Sequence, residues 1–303
     1  PRTLTGTTIR RGKQVLLMWT LTGFADEISH DFTEQLTTLQ RLGVGYLEFR
    51  SAWGTKILDL TPEQLDDAKR LLAEHGVRVS SIGSDLGKIL ITDDFEPHLQ
   101  RTRHAVEVAR FFDAPFIRIF SFFIPEGDDP DAYRDEVMAR TKAMVEVAES
   151  AGVTLLHENE KEIYGDVPRR VVDLITTIDS PRYRGIFDPA NYVQCGVKPF
   201  DEAYPLVREF TDYIHCKDAS ATEFASEDQF AGHINKVLPC GEGDGQVREV
   251  IAALRESGYD GFFSLEPHLG DFDAFGGLCG PDLWGQAHAA LVKLFDEQGI
   301  EYR

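Results

Sequence analysis

Four ionisable side chains stand at the ends of short apolar runs in the second half of the chain. Glu158 ends TLLHE, Asp188 ends RGIFD, His215 lies in YIHCK and Glu266 ends FFSLE. Each has the same phase in its run, and the first three are separated by about the length of one strand–helix unit. A longer segment, which includes residues 219–245, precedes the fourth. The spacing therefore predicts that the four side chains lie at corresponding ends of consecutive strands.

Three carboxylates that converge around one imidazole would repel one another in a buried site without a counterion. A divalent cation removes this repulsion. Oxygen-rich ligands with a single nitrogen suit Mn²⁺ or Mg²⁺, with Co²⁺ and Zn²⁺ as alternatives. We therefore predict one divalent metal, preferably Mn²⁺, with these four residues as its ligands. Taken singly, Asp188 is explained as a turn residue, His215 as a barrel-interior histidine and Glu158 as a surface strand end.

These strand ends belong to a regular alternation of β-rich runs and amphipathic stretches. Eight strands are predicted, at 21–25, 46–50, 79–84, 116–120, 154–158, 184–188, 213–217 and 262–266. Helices are predicted between them, including 61–76, which opens with Thr61 and Pro62, and 199–211. Parallel neighbours need crossover connections, so eight such units predict an α/β protein with one (β/α)₈ barrel domain. An open doubly wound sheet is the rival, but GFADEIS after the first strand lacks the Gly-rich turn of that fold.

Length, charge and cysteine content limit the function classes. The 303 residues carry a formal charge of −20, which repels phosphate groups, so nucleic-acid and membrane partners are not expected. The four cysteines form no C-x-x-C pair, which predicts reduced thiols and a cytoplasmic protein. Residues 1–17 are basic and are interpreted as an unstructured extension before a natural start at Met18, because no signal-peptide cleavage site follows them. The barrel is then expected to span residues 18–303.

The motifs GFADEIS, HENEKEIYGD, FDPAN, IHCKD, GEGDG and GYDGFFSLEPH resemble the sugar phosphate isomerase/epimerase family of the xylose isomerase-like TIM barrels. The resemblance runs from about Leu21 to the C-terminus and is specific for the superfamily rather than for a substrate. It implies a TIM barrel in which Glu158, Asp188, His215 and Glu266 bind a divalent metal. It also implies that the two glutamates are the acid/base pair. The family's ketose epimerases often carry a histidine where this chain has Asn191, which argues against ketose 3-epimerase activity.

The chemistry that follows is proton transfer next to a metal-bound carbonyl. The metal acidifies the C–H beside the carbonyl, and a carboxylate removes and returns the proton. We predict a sugar or cyclitol isomerase/epimerase with Glu158 and Glu266 as catalytic residues. The substrate is expected to be unphosphorylated, because no Gly-rich cradle or basic cluster is visible.

Three other functions remain as alternatives. A lyase of the same superfamily, similar to inosose or dehydroshikimate dehydratases or to C-glycoside-cleaving enzymes, shares the first proton removal. A DNA-repair endonuclease of this fold needs a positive surface, which the charge of −20 opposes. The last is a sugar-binding barrel without catalysis. Either a monomer or a homo-oligomer is compatible with the sequence.

Further side chains are candidates for substrate binding because of their phase or their place near the barrel mouth. They are Lys217, His268, Asn191, Arg118, Glu160 and Trp53. Arg118 is equally well explained as a barrel-layer arginine paired with an acid. Trp53 is explained equally well by stacking on a sugar face and by surface packing. Lys88 in DLGK is a further candidate, and the loop 222–245 is expected to form a lid.

Overall fold

Eight parallel strands form the predicted (β/α)₈ barrel in the computed structural model, which describes residues 18–221, 237–270 and 277–303. The strands are β1 (Met18–Gly23), β2 (Tyr46–Phe49), β3 (Arg78–Ile82), β4 (Phe116–Ile119), β5 (Thr154–Glu158), β6 (Tyr183–Phe187), β7 (Thr211–Cys216) and β8 (Phe262–Leu265). From β2 to β8 each strand pairs with the next, and β8 pairs with β1. β1 also lies beside β2, so the sheet curls into a barrel. A short ninth strand, Glu301–Tyr302, extends the sheet at β1.

Nine α-helices are present in the described ranges. They are α1 (Phe32–Arg41), α2 (Pro62–His75), α3 (Glu96–Phe111), α4 (Arg134–Ser150), α5 (Pro168–Ile178), α6 (Pro189–Gln194), α7 (Tyr204–Val207), α8 (Val247–Ser257) and α9 (Gly280–Glu297). Helix α2 has the predicted signals: Thr61 forms a capping box, and Gly76 ends the helix with a φ of 67°. None of the helices in these ranges is both long and apolar enough to cross a membrane.

The prediction of one regular helix at 199–211 is wrong. The segment divides into a π-helical turn (Pro199–Ala203), the short α7 and a 3₁₀ turn (Arg208–Phe210). Pro205 lies in this segment and has no N–H for an α-helical hydrogen bond, which accounts for the division. Helix α6 was not predicted and is capped by Asp188, whose Oδ1 accepts the N–H of Asn191 at 2.8 Å.

The barrel interior changes from apolar to polar along the strands. Towards the strand starts, the side chains pack as one apolar cluster, which comprises Leu156, Ile186, Tyr213, Phe116 and Phe262. Above it, Glu48 accepts a hydrogen bond from Ser264 Oγ at 2.6 Å, and Ser80 lies 3.0 Å from the hydroxyl of Tyr213. The ionisable candidates lie beyond this layer, at the C-terminal ends of the strands. The packed layers below therefore support the face on which barrels of this type build their active sites.

The motifs IHCKD and GEGDG form one structural unit. Asp218–Ala219 pairs antiparallel with Val237–Leu238. The carboxylate of Asp218 also accepts backbone N–H groups, which belong to Ala219, Gly241, Gly243 and Gly245. A Cβ on Gly243 would lie 2.5 Å from Asp218 Oδ1, so this position requires glycine.

Two expectations concern segments outside the described residues. One is the unstructured extension at 1–17, and the other is the lid, most of which corresponds to 222–236. Both stay predictions. The four cysteines all lie in the described ranges, and none of them forms a disulfide.

Candidate active site

The structure brings the four predicted metal ligands together at the C-terminal ends of β5 to β8. One ligand atom from each of Glu158, Asp188, His215 and Glu266 lies within 4.8 Å of the others. His215 Nδ1 is 3.3 Å from Glu158 Oε1, 3.6 Å from Glu266 Oε2 and 3.7 Å from Asp188 Oδ2. None of the four side chains is more than 4% exposed. The four atoms therefore form a converging donor set in a buried position.

Buried atoms without hydrogen bonds show that this donor set fits a cation. Neither ring nitrogen of His215 makes a hydrogen bond within the described part of the chain. Asp188 Oδ2 is also without one, although Lys217 Nζ lies 3.0 Å away in a poorer geometry. Buried polar atoms usually have partners, and two of these atoms, His215 Nδ1 and Asp188 Oδ2, lie 3.7 Å apart. Three carboxylates and one imidazole nitrogen suit a divalent ion such as Mn²⁺, Mg²⁺ or Zn²⁺.

Glu48, which the sequence analysis did not single out, lies on the other side of His215. Its Oε2 is 3.3 Å from His215 Nε2, and both side chains are fully buried. A carboxylate at this nitrogen favours the tautomer with its proton on Nε2. In the neutral ring, which is the form that can bind a cation, Nδ1 then directs its lone pair towards the three carboxylates, as a metal-ligating histidine with a carboxylate partner does.

Two arginines bind the outer oxygens of the two glutamates. Arg118 Nη1 lies 3.2 Å from Glu158 Oε2 and 3.7 Å from Glu266 Oε1, and Arg50 Nη1 is 3.3 Å from the same Glu266 oxygen. Both guanidinium groups lie over the ring of Phe24, at 4.5 Å for Arg50 and 4.8 Å for Arg118. Each glutamate therefore turns one oxygen towards His215 Nδ1 and the other towards a guanidinium.

The motif GFADEIS holds Arg50 in this position. Asp26 accepts hydrogen bonds from Arg50 Nε at 2.8 Å and from Nη2 at 3.0 Å, and Glu27 Oε1 lies 3.3 Å from Nη2. Burial raises the pKa of Glu27 well above its usual range, although Arg50 opposes the shift. Glu27, Glu266 and His268 are a second group with metal-ligand spacing. Arg50 contacts both of these glutamates and already supplies positive charge there.

Lys217 and Asn191 bind the same carboxylates from the opposite side. Lys217 Nζ donates to Glu266 Oε2 at 2.8 Å. Asn191 Nδ2 donates to Glu158 Oε1 at 3.0 Å and to the carbonyl of Asn159 at 2.9 Å. Asn191 is therefore fixed on a candidate base, and its amide also reaches the cavity wall.

Electrostatics keep both glutamates ionised. Burial acts to raise the pKa of Glu158, but His215 and Arg118 outweigh it and lower the pKa below the usual range. Burial likewise opposes ionisation of Glu266, whose pKa is nevertheless held well below normal by Lys217, His268 and His215. The pKa of Lys217 is raised: burial would lower it, but Asp188 and Glu266 dominate. Burial acts to lower the pKa of His215, but Glu158 and Glu48 outweigh it and raise this pKa well above its usual range. At neutral pH the site thus contains carboxylates, a protonated lysine and an imidazole whose proton a bound cation would replace.

A cavity of about 240 Å³ opens above these residues. Three of the residues proposed from the sequence to bind substrate, His268, Glu160 and Lys88, line this cavity. Lys88 Nζ lies 2.7 Å from Glu160 Oε2. Trp53 is the exception, because it lies outside the lining residues and packs against Phe32 with ring centroids 5.3 Å apart. The contacts of Trp53 therefore agree with the surface-packing explanation.

Sequence reasoning missed several residues that line or support this cavity. Glu48 and Arg50 carried a usable signal, since both alternate with apolar residues in YLEFR and so share one face of the strand predicted at 46–50. Lys56, Asp85 and Arg101 also line the cavity. They come from a hairpin, a loop and a helix, and no local pattern links them.

Both the sequence and the fold of this chain are similar to those of known proteins. The family model described as "Xylose isomerase-like TIM barrel" matches residues 36–293. A 3-dehydroshikimate dehydratase of Bacillus anthracis is 22% identical over 223 residues, which cover 71% of this chain and 78% of that protein. The crystal structure of a probable 3-DHS dehydratase from the same organism superposes with a TM-score of 0.72 at 20% identity, covering 91% of this chain and 98% of that one. A D-tagatose 3-epimerase-like protein gives a TM-score of 0.71 at 18% identity, with 92% and 97% covered.

Proposed function

The chain belongs to the xylose isomerase-like TIM barrel family, and on this premise we propose that it is a divalent-metal-dependent sugar or cyclitol isomerase/epimerase. The observation that carries the proposal is the arrangement of Glu158 and Glu266. Each directs one carboxylate oxygen to His215 Nδ1 and the other to a guanidinium. One oxygen of each group is then suited to bind a metal, and the other to exchange a proton with a substrate.

The residues that would hold the ion are Glu158, Asp188, His215 and Glu266. When bound, a divalent ion supplies Lewis-acid polarisation of a substrate carbonyl, which acidifies the neighbouring C–H. The oxygen-rich donor set favours Mn²⁺. Glu48 holds the proton of His215 on Nε2 and keeps Nδ1 available.

Proton transfer is assigned to the two glutamates. Both are ionised at neutral pH, so either can accept the acidified proton. Because Arg118 contacts an outer oxygen of each, it holds both carboxylates in place. Return of the proton to the adjacent carbon isomerises a sugar, whereas return from the opposite face epimerises it. We assign to Lys217 and His268 the donation of hydrogen bonds to substrate oxygens.

A lyase is the second candidate, because the curated relative is named a 3-dehydroshikimate dehydratase. The same carboxylate would remove the same proton, and a hydroxyl group β to the carbonyl would then leave. The two reactions differ in product: elimination creates an α,β-unsaturated carbonyl with ultraviolet absorbance. Isomerisation or epimerisation instead introduces solvent deuterium without loss of water.

The test is a solvent-exchange screen of the metal-loaded protein over ketoses, aldoses and keto-inositols in D₂O. We expect metal-dependent deuterium incorporation, and a loss of about 10²–10⁴-fold in Glu158→Gln and in Glu266→Gln. Glu107→Gln, at a side chain that is 80% exposed, is the control and should keep full activity. A folded protein without affinity for any divalent metal would overturn the proposal.

A further inference from the structure

The cavity mouth on the β2–β5 side is lined by charges that are paired with one another. Lys56 Nζ is 2.8 Å from Asp85 Oδ2, Arg101 Nε is 3.3 Å from Asp85 Oδ1, and Lys88 Nζ is 2.7 Å from Glu160 Oε2. Asp59, behind the cavity wall, binds the other end of Arg101 at 2.7 Å. We call Lys56, Asp85, Lys88, Arg101 and Glu160 the paired rim.

We propose that the paired rim is a second substrate subsite, which accepts the hydroxyl groups of an uncharged polyol and rejects a carboxylate or a phosphate. This inference rests on the proposed function, since it concerns the part of the substrate that extends from the reacting carbonyl towards solvent. It specifies the substrate class for the same cavity.

Exposure separates the rim from the candidate metal ligands. The rim side chains are between 24% and 42% exposed, whereas the metal-ligand candidates are at most 4% exposed. Ion pairs this exposed contribute little to stability. Stability alone is therefore a weak explanation for several such pairs in one cavity wall.

The rim is also held rigidly. The N–H of Lys88 donates to the carbonyl of Asp85 at 3.0 Å, and the Lys88 ammonium lies 4.2 Å from the Phe120 ring centroid. Gly87 has a φ of 89°, and its N–H donates to His98 Nε2 at 2.7 Å. The charged groups are thus positioned before a ligand binds, which lowers the entropy cost of recognition.

The hydrogen-bond donors and acceptors of the paired rim determine which ligand fits. A lysine ammonium has three donors, and Lys56 uses one of them on Asp85, while each carboxylate oxygen accepts more than one hydrogen bond. A hydroxyl group both donates and accepts, so neighbouring hydroxyls can satisfy a cation and its paired carboxylate together. A carboxylate or phosphate only accepts, and it would lie beside Asp85 and Glu160 with the cations already neutralised. Such like-charge contact is a common way of rejecting a ligand.

The test compares binding of an uncharged ketose, its uronate and its 6-phosphate to the Mn²⁺-loaded protein by titration calorimetry. We expect the uncharged ligand to bind at least about tenfold more tightly than either anion. The double variant Asp85→Asn/Glu160→Gln leaves Lys56 and Lys88 uncompensated, so it should lose that preference. The single variants should lose part of it.

Asp173→Asn is the matched control. Asp173 is 28% exposed, close to the 29% of Asp85, and is likewise paired with an arginine, Arg134, but it lies outside the cavity wall. It should keep the wild-type preference. The inference alone fails if the protein turns over substrates but binds anions as tightly as uncharged ligands, or if the rim variants leave the preference unchanged. If no ligand of any charge binds or turns over, the proposed function fails and the inference with it.

Discussion

Replacing Glu48 should weaken metal binding although Glu48 is not among the predicted ligands. The carboxylate lies 3.3 Å from His215 Nε2 and accepts a hydrogen bond from Ser264. Loss of such a carboxylate partner usually lowers metal affinity about 10–100-fold, equivalent to about 1.4–2.7 kcal/mol. Glu48→Ala removes both charge and contact, so we expect the upper end. Glu48→Gln keeps an oxygen for His215 and for Ser264, so we expect the lower end or less.

The measurement is a titration of metal-free protein with Mn²⁺ in competition with a chelating dye, which does not depend on activity. Urea unfolding of each variant checks that the barrel is intact. Glu27→Gln is the control: Glu27 is also fully buried near the site, 3.6 Å from His268 Nε2, and burial already favours its neutral form. If folded Glu48→Ala binds Mn²⁺ within about threefold of the wild type while Glu158→Gln does not, the role of Glu48 in orienting His215 is refuted.

Two further predictions concern residues around the site. Arg50→Lys keeps the charge but loses the planar fork that binds Asp26, so kcat should fall about tenfold or more while Mn²⁺ affinity changes little. Asp26→Asn should have a similar effect, and a double variant with additive losses would show that the two do not act together. His98 accepts the N–H of Gly87 only when neutral, and burial lowers its pKa to about 4. The folded protein then binds fewer protons than the unfolded chain between about pH 6.5 and 4. Stability from His98 is therefore complete above this window and is lost as the pH falls through it, by at most about 3 kcal/mol. Urea unfolding at pH 7.5 and 4.5 should show a smaller pH effect for His98→Gln, and equal effects would contradict this assignment.

The barrel and the convergence of its ionisable residues could be predicted because both depend on local patterns. Glu158, Asp188, His215 and Glu266 end their runs at the same phase, and parallel strands bring such ends to one face. The strand boundaries moved by a few residues, and the helix at 199–211 proved irregular around Pro205.

The remainder of the site depends on contacts that no local pattern encodes. Arg50 reaches Glu266 across 216 positions of the chain, and Lys56 meets Asp85 only after the hairpin and the β3–α3 loop have packed together. The cations of the paired rim are dispersed along the chain, so the sequence shows no basic cluster. In the structure, each of these cations lies against an acidic side chain.

The anchoring of Asp218 has a consequence for how this enzyme family can diversify. Its carboxylate and the pairing of Asp218–Ala219 with Val237–Leu238 fix both borders of the intervening segment beside Lys217. Changes of length or composition between those borders leave the borders themselves in place. Exchange of this segment between homologous chains is therefore expected to leave the barrel and the converging carboxylates of β5, β6 and β8 undisturbed.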